Sequence, residues 1–329
     1  MSFPRSRATL LFLLFLSLTG TATATYGGDH SLNATYFGDI NGGYLFDMGT
    51  SAYKGSVLPG ETYNVTYSVD LPADAKVTFQ RLYVYWSWSR IDQKAVYPGF
   101  EIYDSRQPGI PLTLASRYPD SKGFVSNYDF YSGLDAYELS FLQPGHNAFS
   151  VTCEQAGLPN SSLIIFGVGV LAVYESKEGK KSFIWVKEGS DLLYSSYGIS
   201  PDMATSEMTF AGSLPKGNIE TAELFLVAPS GGYSRDIEVD LNKLMVNRLE
   251  EDKTPPLIRT IFSLLFPNYK GKEWSDIFSL DNATQIGFET KEIRPYLKTE
   301  NNQVTVQDRG DYMQLTNAIL TIAYSGDNA

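Results

Sequence analysis

An all-β fold is predicted: two tandem jelly-roll-like antiparallel β-sandwiches with one short helical insert. Three observations predict it. Runs rich in β-branched and aromatic residues recur along the chain. Clusters of Gly, Pro, Asn and Asp interrupt them at short intervals, as they do in sandwiches. The order of these runs then repeats in the second half.

The elements follow in chain order. Arg5 and Arg7 form a basic start and Ala8 to Leu18 an apolar stretch. Ala22 and Ala24 supply the small-x-small pattern of a cleavage site. Residues 1–24 are therefore expected to be a signal peptide, with the mature chain beginning at Thr25. No later stretch reaches the about eighteen uninterrupted apolar residues of a membrane span, so none is expected in the mature chain. A first sandwich is assigned to 25–178, opening with strands at Asn33–Asp39, Gly43–Asp47 and Thr62–Val69. The run KVTFQRLYVYW at 76–86 is a strand. So is LIIFGVGVLAVY at 163–174, which is apolar on both faces; Gly167 and Gly169 in it suit a bulge or a close backbone approach. The polar stretch Ser176 to Lys181 is the boundary, and a second sandwich at 179–329 opens with Ser182 to Val186.

The repeat aligns 76–86 with NIETAELFLVA at 218–228, and 100–104 with 237–241. It aligns 138–152 with 292–306, and 163–175 with 313–325. One segment breaks the β pattern. Thr254-Pro255-Pro256 is a helix start and Pro267-Asn268 a stop, which frames a helical insert at 254–266. Its Phe262, Leu265 and Phe266 are candidates for contact with a neighbouring subunit or a membrane surface. The competing reading lays the helix over its own sandwich.

Charge excludes one class of function. With 37 Asp and Glu against 26 Lys and Arg, the net charge is -11, and loss of Arg5 and Arg7 takes it to -13. A nucleic-acid partner requires a basic face and is not expected. The one cysteine, Cys153, precludes an intramolecular disulfide. It reads as a buried strand residue or, less simply, as a link to another chain. Asn33, Asn64, Asn160 and Asn282 open N-x-Ser/Thr sequons and are the glycosylation candidates.

Catalytic patterns are sparse. The two histidines, His30 and His146, lie far apart in sequence, with His30 just past the cleavage site and expected to be mobile. Neither spacing suits a zinc motif or a nucleophile triad. Glu188 and Asp191 are the carboxylates that stand out as a candidate acid pair, and an exposed polar turn is the favoured reading of them. Calcium is the cofactor the composition admits. Asp39 with Asn41, and Asp308 with Asp311, are hard-oxygen pairs near strand ends; solvated turns are the alternative. Tyr83, Tyr85, Trp86 and Trp88 are the candidate sugar-stacking rings. Period two sends Tyr83 and Tyr85 to one face, and Leu82, Val84 and Trp86 to the other. One face must be core. The other is a platform or packs on the second sandwich.

Five segments together carry a family resemblance: GDINGGYLF (38–46), RLYVYWSWS (81–89), KEGSDLLYSSYGISP (187–201), VAPSGG (227–232) and GDYMQLTNAILTIAY (310–324). In this order they resemble a domain-of-unknown-function family of cell-surface and secreted proteins from methanogenic archaea. The resemblance spans most of the mature chain. It implies an archaeal envelope location and brings no activity or catalytic residues. The expectation is an exported, extracellular cell-surface protein with a structural or adhesive role, whose partners are other envelope proteins or further copies of itself. The alternative is a carbohydrate-binding module or glycan-acting enzyme of jelly-roll type, with glycans as partners.

Overall fold

The computed structural model describes residues 27–122, 130–214, 217–232, 240–248, 260–261, 264 and 271–325. The first half runs through β1 (Asn33–Asp47), β2 (Lys54–Val57), β3 (Thr62–Leu71), β4 (Lys76–Ile91) and β5 (Lys94–Ala95). It continues with β6 (Phe100–Asp104), β7 (Leu114–Asp120), β8 (Tyr131–Glu138), β9 (Gly145–Gln155) and β10 (Ser161–Glu175). The second half contains β11 (Lys181–Leu193), β12 (Thr205–Ser213), β13 (Asn218–Pro229), β14 (Asn242–Val246) and β15 (Lys272–Ser275). It ends with β16 (Ser279–Asp281), β17 (Ile286–Glu292), β18 (Glu300–Asp308) and β19 (Met313–Ser325).

The two halves have the same strand order. In the first, β1-β10-β4-β8-β7 form one sheet and β3-β9-β6 the other. In the second, β11-β19-β13-β17-β16 form one sheet and β12-β18-β14 the other, extended by β15. Each half pairs its first strand with its last, which is the jelly-roll arrangement. Three of the four aligned segment pairs fall on equivalent strands: β4 with β13, β9 with β18, and β10 with β19. In the fourth pair, residues 237–239 lie outside the described residues, and the strand equivalent to β6 is β14 at Asn242–Val246.

The larger sheets of the two halves also pack on each other. Tyr83, Tyr85, Leu134 and Leu171 of the first half share a buried cluster with Ile184, Val227, Ile286 and Ile319 of the second. The opposite faces of those sheets form the two sandwich interiors. One is built around Leu82, Val84, Trp86, Val151 and Ile165, the other around Leu224, Leu226, Val306 and Leu320. The result is four β layers. The sequence reason is visible in β10, which is apolar on both faces because it lies in an inner layer covered on both sides. By contrast, β3 lies in an outer layer and alternates strictly. Tyr63, Val65, Tyr67, Val69 and Leu71 point inward, while Thr62, Asn64, Thr66, Ser68 and Asp70 face water. Gly167 lies at a register shift between β10 and β4, as its sequence position suggests.

Two expectations need correction. The strands placed at Asn33–Asp39 and Gly43–Asp47 are one continuous strand. Over Asn33–Asn41, β1 pairs with β11 of the second half; from Gly42 to Asp47 it pairs with β10 of the first. The sheet is thus not divided at residue 178, and β1 belongs to both halves. In the insert, Thr260, Ile261 and Leu264 are helical, and Ile261 and Leu264 are exposed. The rest of 254–266, including Phe262, Leu265 and Phe266, lies outside the described residues, as do residues 1–24. One turn of 3-10 helix occurs at Arg294–Tyr296. Among the described residues no helix is long and apolar enough to cross a membrane.

Candidate functional site

The chemistry-bearing side chains gather at the seam between the two halves, and a β-bulge puts them there. Against β19, Glu188 pairs with Asn317 and Asp191 with Leu315, so three steps along β11 match two along β19. In a regular strand, residues 188 and 191 would point to opposite faces. The extra residue at Gly189-Ser190 turns both toward the first half.

Glu188 is buried, as its 1% exposure records. Its carboxylate accepts hydrogen bonds from the Tyr83 hydroxyl at 2.8 Å and the Tyr118 hydroxyl at 3.1 Å. The Arg81 Nε stands 3.9 Å away, too far for a hydrogen bond. Burial pushes the Glu188 pKa up, and the two tyrosines and Arg81 pull against it. Beside it, the Tyr85 hydroxyl donates to Asn317 Oδ1 at 2.8 Å. These bonds join β4 and β7 of one half to β11 and β19 of the other. The tyrosines face the seam while Leu82, Val84 and Trp86 face the sandwich interior, as period two requires.

A second group lies where the N-terminal segment meets the seam. Asp120 closes β7, and both it and Asp191 have fully buried side chains. The Lys122 ammonium, 3% exposed, reaches Asp120 Oδ2 at 2.8 Å and Asp191 Oδ1 at 3.2 Å, and also contacts Asp29. Asp120 Oδ2 accepts the Leu192 amide at 2.6 Å and Asp191 Oδ2 the Gly28 amide at 2.8 Å. His30 Nε2 is 3.6 Å from Asp120 Oδ1. Burial raises the Asp191 pKa to about 6 against the pull of Lys122. Burial works to lower the Lys122 pKa, but the Asp120 and Asp191 charges outweigh it and the net shift is upward.

The third feature is a groove of about 500 Å³ beside β4 and β8, lined by Phe79, Arg81, Gln107, Ile110, Leu112 and Glu138 among others. Arg81 lies over the Phe79 ring, 4.9 Å from its centroid.

The structure sorts the residues singled out from sequence. Tyr83, Tyr85 and Trp86 have no exposed surface, so they are not a platform on which a sugar can stack. Trp88 is 38% exposed. Asp39 and Asn41 are exposed on one face of β1, and Asp39 accepts the Tyr324 hydroxyl at 2.5 Å. Asp308 is buried and its oxygens accept backbone amides of Ser195, Gly310, Asp311 and Tyr312. Asp311 Oδ2 accepts the Gly232 amide and the Asn242 amide group, each at 2.8 Å. These two carboxylates staple loops. Glu188 and Asp191 lie on a buried strand and not on an exposed polar turn. Asn33, Asn64, Asn160 and Asn282 are all exposed. Cys153 is buried on β9 with a free thiol. His146 pairs with Asp70 at 2.9 Å on the surface.

His30 lies beside the buried Asp120, and Asp29, Asp120 and Lys122 went unnoticed in the sequence. The four come from segments about ninety residues apart in the chain, and the local text around Asp120, Tyr-Pro-Asp-Ser-Lys, reads as an ordinary turn.

Asp311 gives a pH prediction. Burial raises its pKa from 3.8 to about 6. A folded-state pKa above the unfolded value means that the contribution is present below about pH 4 and lost as pH rises through about 6. Wild-type protein should therefore gain on the order of 1 kcal/mol from this group between pH 7 and pH 4.5. In Asp311→Asn that part of the pH dependence should flatten. Identical Tm-against-pH curves for the two proteins would exclude this assignment.

A family model described as "Protein of unknown function (DUF3344)" matches residues 25–323. No curated protein matches the chain. Among solved structures, the chain is similar to the major capsid protein P2 from bacteriophage PM2 at 9% identity. That match covers 87% of this chain and 99% of the capsid chain, with a TM-score of 0.20, too low to carry an argument.

Proposed function

The chain belongs to the DUF3344 family, which brings no activity with it, and on that footing we propose that it is an exported structural subunit of the cell envelope. In this reading residues 1–24 are a cleaved signal peptide. The mature protein lies at the surface of a methanogenic archaeon, carries glycans on one or more of its four sequons, and assembles with further copies or other envelope proteins.

The observation that carries the reading is the single four-layer block. β1 pairs with the second half over Asn33–Asn41 and with the first over Gly42–Asp47, and hydroxyl–carboxylate bonds cross the seam. A load applied to one sandwich is therefore passed to the other through a ladder of backbone hydrogen bonds strained together, which suits a subunit that must hold its shape in a lattice. The exposure of all four sequons supports a glycosylated surface.

Fractionation of source cells tests the proposal. The native protein should be recovered from the envelope fraction, beginning at Thr25 and heavier than its sequence mass. Recovery from the cytoplasm with Met1 intact would reject it. The groove beside β4 favours a second reading, glycan binding, because Phe79, Ile110 and Leu112 line it with apolar surface and Arg81, Gln107 and Glu138 offer polar groups. Selective retention on a glycan array, lost in Phe79→Ala, would move the assignment to that reading.

A further inference from the structure

We propose that Asp29, His30 and Asp120 bind a divalent cation of the Zn²⁺ class, which clamps the N-terminal segment onto the seam between the two halves. One oxygen of each carboxylate and one imidazole nitrogen lie within 4.8 Å of one another. Two donors about 2.1 Å from a tetrahedral ion stand roughly 3.4 Å apart. His30 Nε2 and Asp120 Oδ1 are 3.6 Å apart, close to that spacing before any ion draws them in.

The independent observation is Asp120 Oδ1. Its side chain has no exposed surface, and this oxygen has no hydrogen-bond donor. A buried carboxylate oxygen without a partner is costly, and it points toward the imidazole. Lys122 does not answer this need. Its ammonium holds Asp120 by the other oxygen, Oδ2, and is shared with Asp29 and Asp191. Three carboxylates stand against one ammonium here, and a bound cation balances the excess negative charge.

The donor set selects the ion. Imidazole nitrogen with carboxylate oxygen suits Zn²⁺, Mn²⁺ or Ni²⁺ better than Ca²⁺, which takes oxygen alone. Access is open, since the His30 and Asp29 side chains are 48% and 40% exposed. The ligands come from two places, the segment before β1 and the end of β7, while Asp191 of β11 binds the Gly28 amide alongside. An ion here would tie the N-terminal segment to the first half directly, at the point where it already touches the second.

Purified, untagged protein should be titrated with ZnCl₂ and followed by thermal unfolding and calorimetry. The Tm is expected to rise by about 5 °C at saturating Zn²⁺ and to return on adding EDTA. CaCl₂ should have little effect. His30→Ala changes a half-exposed side chain and should fold, but its Zn²⁺ affinity should fall at least tenfold. Asp120→Asn should lose the response if it folds. His146→Ala, at the other histidine, should keep it. Co²⁺ bound in place of Zn²⁺ should give visible bands of a four-coordinate N/O site. A flat Tm with Zn²⁺, an undiminished response in His30→Ala, or an equal response to Ca²⁺ would each overturn the proposal.

Discussion

Gly42→Val is expected to destabilise the protein by at least about 3 kcal/mol and to lower its Tm by roughly 6–10 °C. Gly42 is where β1 leaves β11 and joins β10; Asn41 is its last residue paired with β11, and Gly42 its first paired with β10. The backbone of β10 approaches it so closely that a β-carbon would stand 1.8 Å from the Tyr174 carbonyl oxygen and 2.9 Å from the Glu175 Cα. Both obstacles are backbone, so no side-chain rotation relieves them. One strand would have to move by roughly 1 Å, which disrupts the ladder at the crossing. Gly43 is the internal control. A β-carbon there meets only the Tyr174 ring end, at 3.5 Å, an ordinary contact. Gly43→Ala should be nearly neutral. Thermal unfolding of the two variants side by side checks the argument, and equal Tm values would show that the crossing is not as tight as described.

Asp135→Ala should cost about 3–5 kcal/mol. Asp135 lies on β8 with its side chain fully buried. Arg117, opposite it on β7, donates from Nε at 2.8 Å and Nη2 at 2.6 Å, and the Trp86 indole donates at 3.1 Å. Burial pushes the Asp135 pKa up, and the Arg117 guanidinium is the main group holding it down. Removing the carboxylate strands a partly buried guanidinium and a buried indole N–H. The attraction of the pair contributes less than that loss suggests, because both charges were desolvated to form it. Replacing both partners, with Asp135→Leu and Arg117→Met, should therefore be clearly milder than Asp135→Ala, with a residual cost from the unpaired Trp86 indole. Urea denaturation of the single and double variants separates the two. A single-variant loss under about 1 kcal/mol would mean that the pair is solvated.

Side-chain chemistry that acts locally was legible in the sequence. The run Thr62–Val69 was legible as a strand, and the alternation of Leu82-Tyr83-Val84-Tyr85-Trp86 divided those rings correctly between two faces. The double-sided apolar character of 163–174 recorded that both faces of that strand are covered. The choice left open for Tyr83 and Tyr85, platform or packing, was resolved by their hydroxyl bonds to Glu188 and Asn317 of the other half. Sequence could not resolve it because an exposed ring and a ring buried under a distant strand have the same residues around them.

The candidate site was less legible. Glu188 and Asp191 were visible as carboxylates, but the three-residue spacing in a strand sends them to opposite faces. Only the bulge at Gly189-Ser190 brings them together, and a bulge is set by the register against β19. Asp120, Lys122 and His30 carry no local signature, since what distinguishes them is convergence from separate parts of the chain.

By itself, then, the sequence determined the all-β class, the recurrence of the same run of strands in each half, and how the side chains of 82–86 divide between two faces. Those follow from backbone propensity and a period of two, which act over a few residues. The tertiary structure alone decided that β1 serves both halves, that the inner sheets close on one another, and that the polar groups meet at their seam. Those depend on pairings between segments about seventy or more residues apart, where burial and register select one partner among many strands of similar composition.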